Sequence, residues 1–245
     1  SYAGATDWRV GIDNMNFTAA NTAPVIGGTS GGQGVNDNAT ITPFSAITTT
    51  DADGDNLSAT ITLDTNAKGV ITGADSGSGP YTITSKTAAA MQTALRALVF
   101  NPTDNRSATS ETTTFTVVID DGTDNDSDNT TNVISSAVAP TVTGVSSTTA
   151  NGTYKAGDNL VITVTFSEAV TVTGNPTLKL ETGTTDQTLN TNGIGSGTNT
   201  IQFAYSVISG ESSSDLEYFD TSSLTAGTSI KDAGGKDAVL TLPTK

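Results

Sequence analysis

The sequence predicts an all-β chain built as two tandem Greek-key β-sandwiches, with one short helix in the first. Three observations predict it. Apolar residues recur at every second position through much of the chain, the period of a half-buried strand. Clusters of Gly, Asn, Asp and Ser bound each of these runs, as turns between short strands require. A single segment switches to helical spacing.

In chain order, the first strand-like piece is Trp8 to Phe17. Leu57, Ala59, Ile61 and Leu63 then alternate with Ser58, Thr60 and Thr62. The helical segment follows, TSKTAAAMQTALRALVF, in which Met91, Leu95 and Leu98 share one face behind a Ser85 or Thr87 cap. It reads as a crossover packed on the sandwich edge that runs into a strand near Val99 and Phe100. Phe115, Val117 and Ile119 form the next apolar row. In the second half Leu160, Ile162, Val164 and Phe166 make one face, Leu178 and Leu180 another, and Ile201, Phe203, Tyr205 and Val207 a third.

Ala-Pro precedes a β-branched run twice, in ANTAPVIGG at Pro24 and in SAVAPTVTG at Pro140. Proline removes a backbone donor and stiffens such a junction. The chain therefore divides into a segment 1–21, a sandwich 22–137 and a sandwich 138–245. The two larger units are each close to the roughly 100 residues such a sandwich needs. The first segment is too short to fold alone, and reads as the remnant of a preceding domain or as a donor strand.

Composition excludes much chemistry. With no Cys and no His, disulfides, thiol nucleophiles, ordinary zinc sites and His-dependent triads are all ruled out. A net charge of -15 disfavours nucleic acid and anionic membranes and favours cations. No apolar run approaches the roughly 18 residues of a membrane span. No secretory signal is read in the chain, so either a processed or excised piece is expected, or secretion that relies on something outside it.

The richest local chemistry is DADGDNL, with Asp51, Asp53 and Asp55 at alternate positions. In a sandwich this loop lies beside the incoming linker. The strand ending at Ile119 returns to the same pole, which brings the loop DDGTDNDSD, starting at Asp120, and Asn21 of the linker beside it. Like charges at that density repel unless a cation neutralises them. Calcium fits an all-oxygen donor set with loose geometry. The spacing is not an EF-hand, because Asn56 stands where that loop has Gly and Thr62 where it has Glu. The same residues also build ordinary solvated turns, and that alternative stays open at this level.

NTAPVIGG, DADGDNLSATITL, GPYTITSKTAAAMQTALRALVFNP and TFTVVIDDGTD resemble the cadherin-like repeats of large secreted bacterial adhesins. APTVTGVSSTTANGTYKAGDNLVITVTFSEAVTVTG and SIKDAGGKDAVLTLP resemble the bacterial Ig-like repeats that accompany them. The resemblance implies extracellular, cell-surface Ig/cadherin-like sandwiches arrayed as stalks, spacers or adhesive surfaces and commonly stiffened by calcium at their junctions. It implies neighbouring repeats, or copies of the chain head to tail, as partners, together with surface glycans or matrix. Carried over by position, its metal-type residues are Asp51, Asp53, Asp55 and Asp120 in the first unit and Glu168 and Asp232 in the second. Two isolated acids make a poor cage unless the preceding domain adds oxygens.

Other classes fare worse. A glycosidase needs two carboxylates flanking a cleft, and no motif here supplies one, so no enzyme is expected. A sugar-binding module needs exposed aromatics; Trp8, Tyr81, Tyr154, Tyr218 and Phe219 are the free candidates. Seven Asn-X-Ser/Thr sequons, including those at Asn16, Asn38, Asn56 and Asn105, are expected by chance in so Asn- and Thr-rich a chain. Finally, the Ig-like resemblance implies one more strand after KDAVLTLP, so the second sandwich is expected to lack its last strand, with Trp8 to Phe17 as a donor for such a vacancy.

Overall fold

A computed structural model describes residues 20–191 and 195–245. The Trp8 to Phe17 piece lies outside the described residues. The fold is all-β, with one α-helix.

The first half contains β1 (Val25–Gly27), β2 (Gln33–Asn36), β3 (Thr48–Thr50), β4 (Asn56–Leu63), β5 (Gly69–Thr72), β6 (Tyr81–Thr87), α1 (Ala88–Arg96), β7 (Val99–Pro102), β8 (Ser110–Asp120), β9 (Asn125–Asp128) and β10 (Asn132–Ser136). The main sheet runs β2-β10-β8-β4-β6, with β9 also on β8, while β1 pairs β3 and β5 pairs β7. The alternation legible in the sequence is the burial pattern: Leu57, Ala59, Ile61 and Leu63 face inward from β4, and Phe115, Val117 and Ile119 from β8. Phe115 packs edge-on against Phe44 and Phe100, with ring centroids 5.4 and 5.0 Å apart, a favoured aromatic geometry. Thr87 caps α1 by accepting from the Ala90 amide, and Met91 and Leu95 are buried beneath the helix.

The second half contains β11 (Val142–Ser147), β12 (Asn159–Thr173), β13 (Thr177–Glu181), β14 (Gln187–Asn190), β15 (Thr198–Ser206), β16 (Glu217–Tyr218), β17 (Leu224–Thr225) and β18 (Ser229–Lys231). One sheet is β11-β12-β15 with β18 on the far end of β12, and the facing sheet is β14-β13-β16 with β17 also on β13. A separate core forms between them from Leu160, Ile162, Val164, Phe166, Leu178, Leu180, Ile201, Phe203 and others. The long strand β12 is broken by a bulge: between Thr165 and Val170 it advances five residues while β15 advances from Thr200 to Thr198. Such an insertion bends a strand and turns side chains out of the ladder, and Glu168 sits in it.

The linker between the halves is pinned from both sides. The Val138 amide donates to Asp37 Oδ1 at 3.1 Å. Thr141 accepts from the Ser167 amide at 2.8 Å and donates its own amide to Ser167 Oγ at 3.0 Å. The loop after β7 meets the loop after β18: Asn105, at a left-handed φ of 51°, accepts from the Ala233 amide at 3.3 Å. A methyl on Gly234 would come within 3.2 Å of the Arg106 carbonyl, so this contact excludes larger side chains.

Candidate functional site

Two acidic regions occupy the two ends of the first half. At the end where the linker arrives, β4 begins and β8 finishes side by side, with Ser58 in register with Asp120. The loops Asp51–Asp55 and Asp120–Asp124 therefore lie at one pole, as the alternation predicts. Gly54 and Gly122 turn them with φ of 80° and 96°, conformations that disfavour side chains.

Each carboxylate at this pole has a definite set of partners. Asp51 Oδ1 accepts from the amides of Asp53, Gly54 and Asp55 at 3.1, 2.8 and 3.0 Å. Its second oxygen, Oδ2, is buried with no hydrogen-bond partner. Asp53 Oδ2 accepts from the Thr22 amide at 2.5 Å. Asp120 Oδ1 accepts from the Gly122 amide at 2.7 Å, and Asp55 is exposed. Asn21 Nδ2 donates to Asp121 at 3.1 Å and to Asp124 at 2.9 Å. Amide donors from Asp124 first, then Asn21 and Thr123, hold the Asp121 carboxyl below the usual carboxylate range. One strand further, Asp126 accepts from the Ile26 amide at 2.8 Å.

The structure thus brings Asn21 to the acidic loops but onto Asp121 and Asp124, not onto Asp120. Among the described residues, no three acidic side chains converge closely enough to form a finished metal cage. The donor chemistry suits a hard cation, with oxygen on offer and neither nitrogen nor sulfur ligands at hand.

The second region lies at the junction. Glu168, projecting from the β12 bulge, is pushed up to about 7 by burial and then by the charges of Asp104, Asp232 and Asp37. Asp37 is 2% exposed and Asp232 5%. Asp232 Oδ1 accepts from the Lys236 amide at 2.7 Å, and Asp37 holds the linker as described. Glu168 thus feels the charge of Asp232 and, from the preceding half, those of Asp104 and Asp37, although among the described residues no three acids converge as a metal cage requires. Sequence reasoning missed Asp37 and Asp104 because each stands alone in an ordinary turn. Nothing local to either marks it.

The aromatic candidates for sugar stacking are corrected in part. Tyr81 is 2% exposed and belongs to the first core. Tyr154 and Tyr218 pack partly against the second core. Phe219 is exposed, but the Lys179 ammonium sits 3.4 Å over its ring. Trp8 lies outside the described residues.

No protein-family model matches the chain, and no curated protein matches it. Among solved structures, the C-terminal domain of the Streptococcus agalactiae AgI/II polypeptide BspA is similar to it over 78% of this chain and 84% of that one, at 11% identity and a TM-score of 0.21. A likeness of that size carries no functional inference. Among the described residues, no helix is long and apolar enough to cross a membrane.

Proposed function

We propose that the chain is an extracellular structural and adhesive module of the kind used in bacterial surface adhesins and stalks, a pair of β-sandwiches stiffened by calcium. The observation that carries this reading is Asp51 Oδ2, a carboxylate oxygen buried without a partner in a pole crowded with other carboxylates. Leaving a buried charged acceptor unpaired costs about 1–3 kcal/mol or more, and a divalent cation offsets both that cost and the mutual repulsion. Calcium is favoured because it accepts six to eight oxygens in flexible geometry. The incoming linker is already bonded to the two loops through Asn21 and Thr22, so an ion there locks one module to what precedes it. A cation beside Glu168 and Asp232 does the same between the two sandwiches.

The test is thermal unfolding in excess chelator and in 10 mM Ca²⁺. An extracellular-type affinity on the order of 10⁻⁴ M gives stabilisation of about 2.7 kcal/mol at that concentration, or about 10 to 20 °C for one sandwich. Asp51→Asn keeps an acceptor for the three loop amides, and loses most of the gain. A melting temperature that ignores calcium sinks the calcium reading.

A further inference from the structure

The second sandwich has a gap along one side. β11 and β16 are the edge strands of its two facing sheets, and an unpaired edge is a row of backbone groups ready to accept a strand. One end of the space between them is filled by the chain itself. Val239 pairs in parallel with Thr141, its amide donates to the Pro140 carbonyl, and the Leu242 amide donates to the Thr221 carbonyl at 2.8 Å. Ala238, Leu240 and Leu242 alternate inward along this path. The Tyr218 hydroxyl donates to the Pro243 carbonyl, and Lys245 reaches Glu217 at 3.0 Å.

Past Glu217 the same space continues as an open groove of about 710 Å³ running from Leu216 to Ser147 and Tyr154, with Leu160, Ile162 and Tyr205 on its floor. That equals the volume of roughly two dozen liquid waters. These floor residues are 7, 6 and 4% exposed, whereas Val164 and Phe203 deeper in the same core are sealed. The groove therefore prolongs an inward-facing apolar row for which no strand among the described residues supplies the next members.

We propose that residues 8–12 of a second copy of this chain fill the groove as an added strand. Trp8, Val10 and Ile12 fall on one face at the period of a strand. They give the inward row that Ala238, Leu240 and Leu242 begin, and the backbone of the added segment bonds at the end of β11, where Ser147 lines the groove. In strand addition the main chain supplies affinity and pockets for alternate side chains supply specificity.

Reach makes the contact intermolecular. Asn21 is bonded at the Asp121 pole, and nine residues separate it from Ile12, at most about 32 Å of extended chain. The path along the strands from that pole to the groove is longer. β8 spans the first sandwich from that pole to the linker end, about 34 Å, and β11 adds about 20 Å from Thr141 to Ser147. The two halves meet through the loops around Asn105 and Ala233 and through Asp37 and Val138. A chain thus cannot fill its own groove. Donor and acceptor surfaces differ and lie at opposite ends, so the contact is heterologous and propagates as an open filament.

The inference stands apart from the calcium reading, because its readout is the distribution of oligomers and not the response to metal. Sedimentation of the full chain in millimolar Ca²⁺ shows an open series of species that lengthens with concentration. The full-length double variant Val10→Asp, Ile12→Asp sediments as monomer at the same concentration and still unfolds cooperatively, at a melting temperature no higher than that of the wild type. A synthetic peptide of residues 6–19 suppresses growth of the wild-type series, and the same peptide carrying Val10→Asp suppresses it at least tenfold less well. A wild-type chain that stays monomeric at about 100 μM, a series that stops at a closed dimer, or growth that the two substitutions leave intact each overturn the proposal.

Discussion

The two acidic ends of the first sandwich are built from opposite materials. At the pole beside Asn21 the acids are neighbours in sequence, and their own loops supply donors, although not to the buried Asp51 Oδ2: Asp51, Asp120 and Asp121 each accept amides from within the next four residues. At the junction the acids come from positions 37, 104, 168 and 232, and burial together with the other three charges acts on Glu168. Density of carboxylates in the sequence is therefore a poor measure of electrostatic stress in the fold. A loop rich in Asp is supplied by its own turn hydrogen bonds, whereas at the junction local amides reach Asp232 and Asp104 while Glu168 is raised by burial and by the acids gathered around it. The junction is the stressed end.

The largest effect expected from that difference is at Asp37. Its buried carboxylate accepts from the Val138 amide, so Asp37→Ala strands a part-buried donor and costs about 1–3 kcal/mol, a drop of several degrees in melting temperature. Asp37→Asn keeps an acceptor and removes one charge from the junction. In chelator at pH 8 it is expected to match or exceed the wild type. If the asparagine variant is as damaged as the alanine one, charge repulsion is not the liability of the junction and the contrast collapses.

Next comes pH. Glu168 titrates near 7 in the folded chain against a usual 4.5, so the fold holds that proton more tightly than the unfolded chain does. Its stabilising contribution is complete below about 4.5 and is lost as pH rises through about 7. Denaturant melts in chelator should accordingly show stability falling across that window, and Glu168→Gln should flatten the fall. Calcium bound at the junction should restore stability on the alkaline side. A wild-type profile already flat from pH 4.5 to 8 in chelator contradicts the buried, mutually repelling arrangement.

How much of this was legible follows from range. Period-2 alternation placed β4, β8, β12, β13 and β15, and helical spacing behind a Thr87 cap placed α1, because burial on one face is written locally. Only Tyr81 was assigned to the wrong side, and its strand β6 buries Ile83 on the same face. The Asp51 pole was legible because loop placement follows from counting strands. Which oxygens were free there was not, since amide geometry within a turn decides it. Glu168 and Asp232 came from resemblance, and Asp37 and Asp104 could come only from the folded chain, across separations of more than 60 residues. The bulge that turns Glu168 outward is equally a pairing property, invisible until β12 and β15 are in register.

The smallest effect should be at Asn21, and its smallness is the informative part. One amide nitrogen there donates to two carboxylates, which its two hydrogens allow, and both contacts are exposed. Exposed polar substitutions away from caps and cores usually shift stability little, so Asn21→Ala should move the melting temperature at pH 7 by no more than about 2 °C. The local consequence is different in kind. Asn21 is the second cause that depresses Asp121, so its loss should raise the Asp121 titration midpoint toward the ordinary range, readable by carboxyl-carbon NMR. A depressed carboxylate stabilises the fold above its unfolded value and loses that contribution as pH falls through the folded one. The variant should therefore differ from wild type chiefly in acid, below about pH 4, where Glu168 already holds its proton. A large loss at neutral pH would mean that the exposed pole depends on its linker as heavily as the junction depends on Asp37, and that the two ends are not built differently after all.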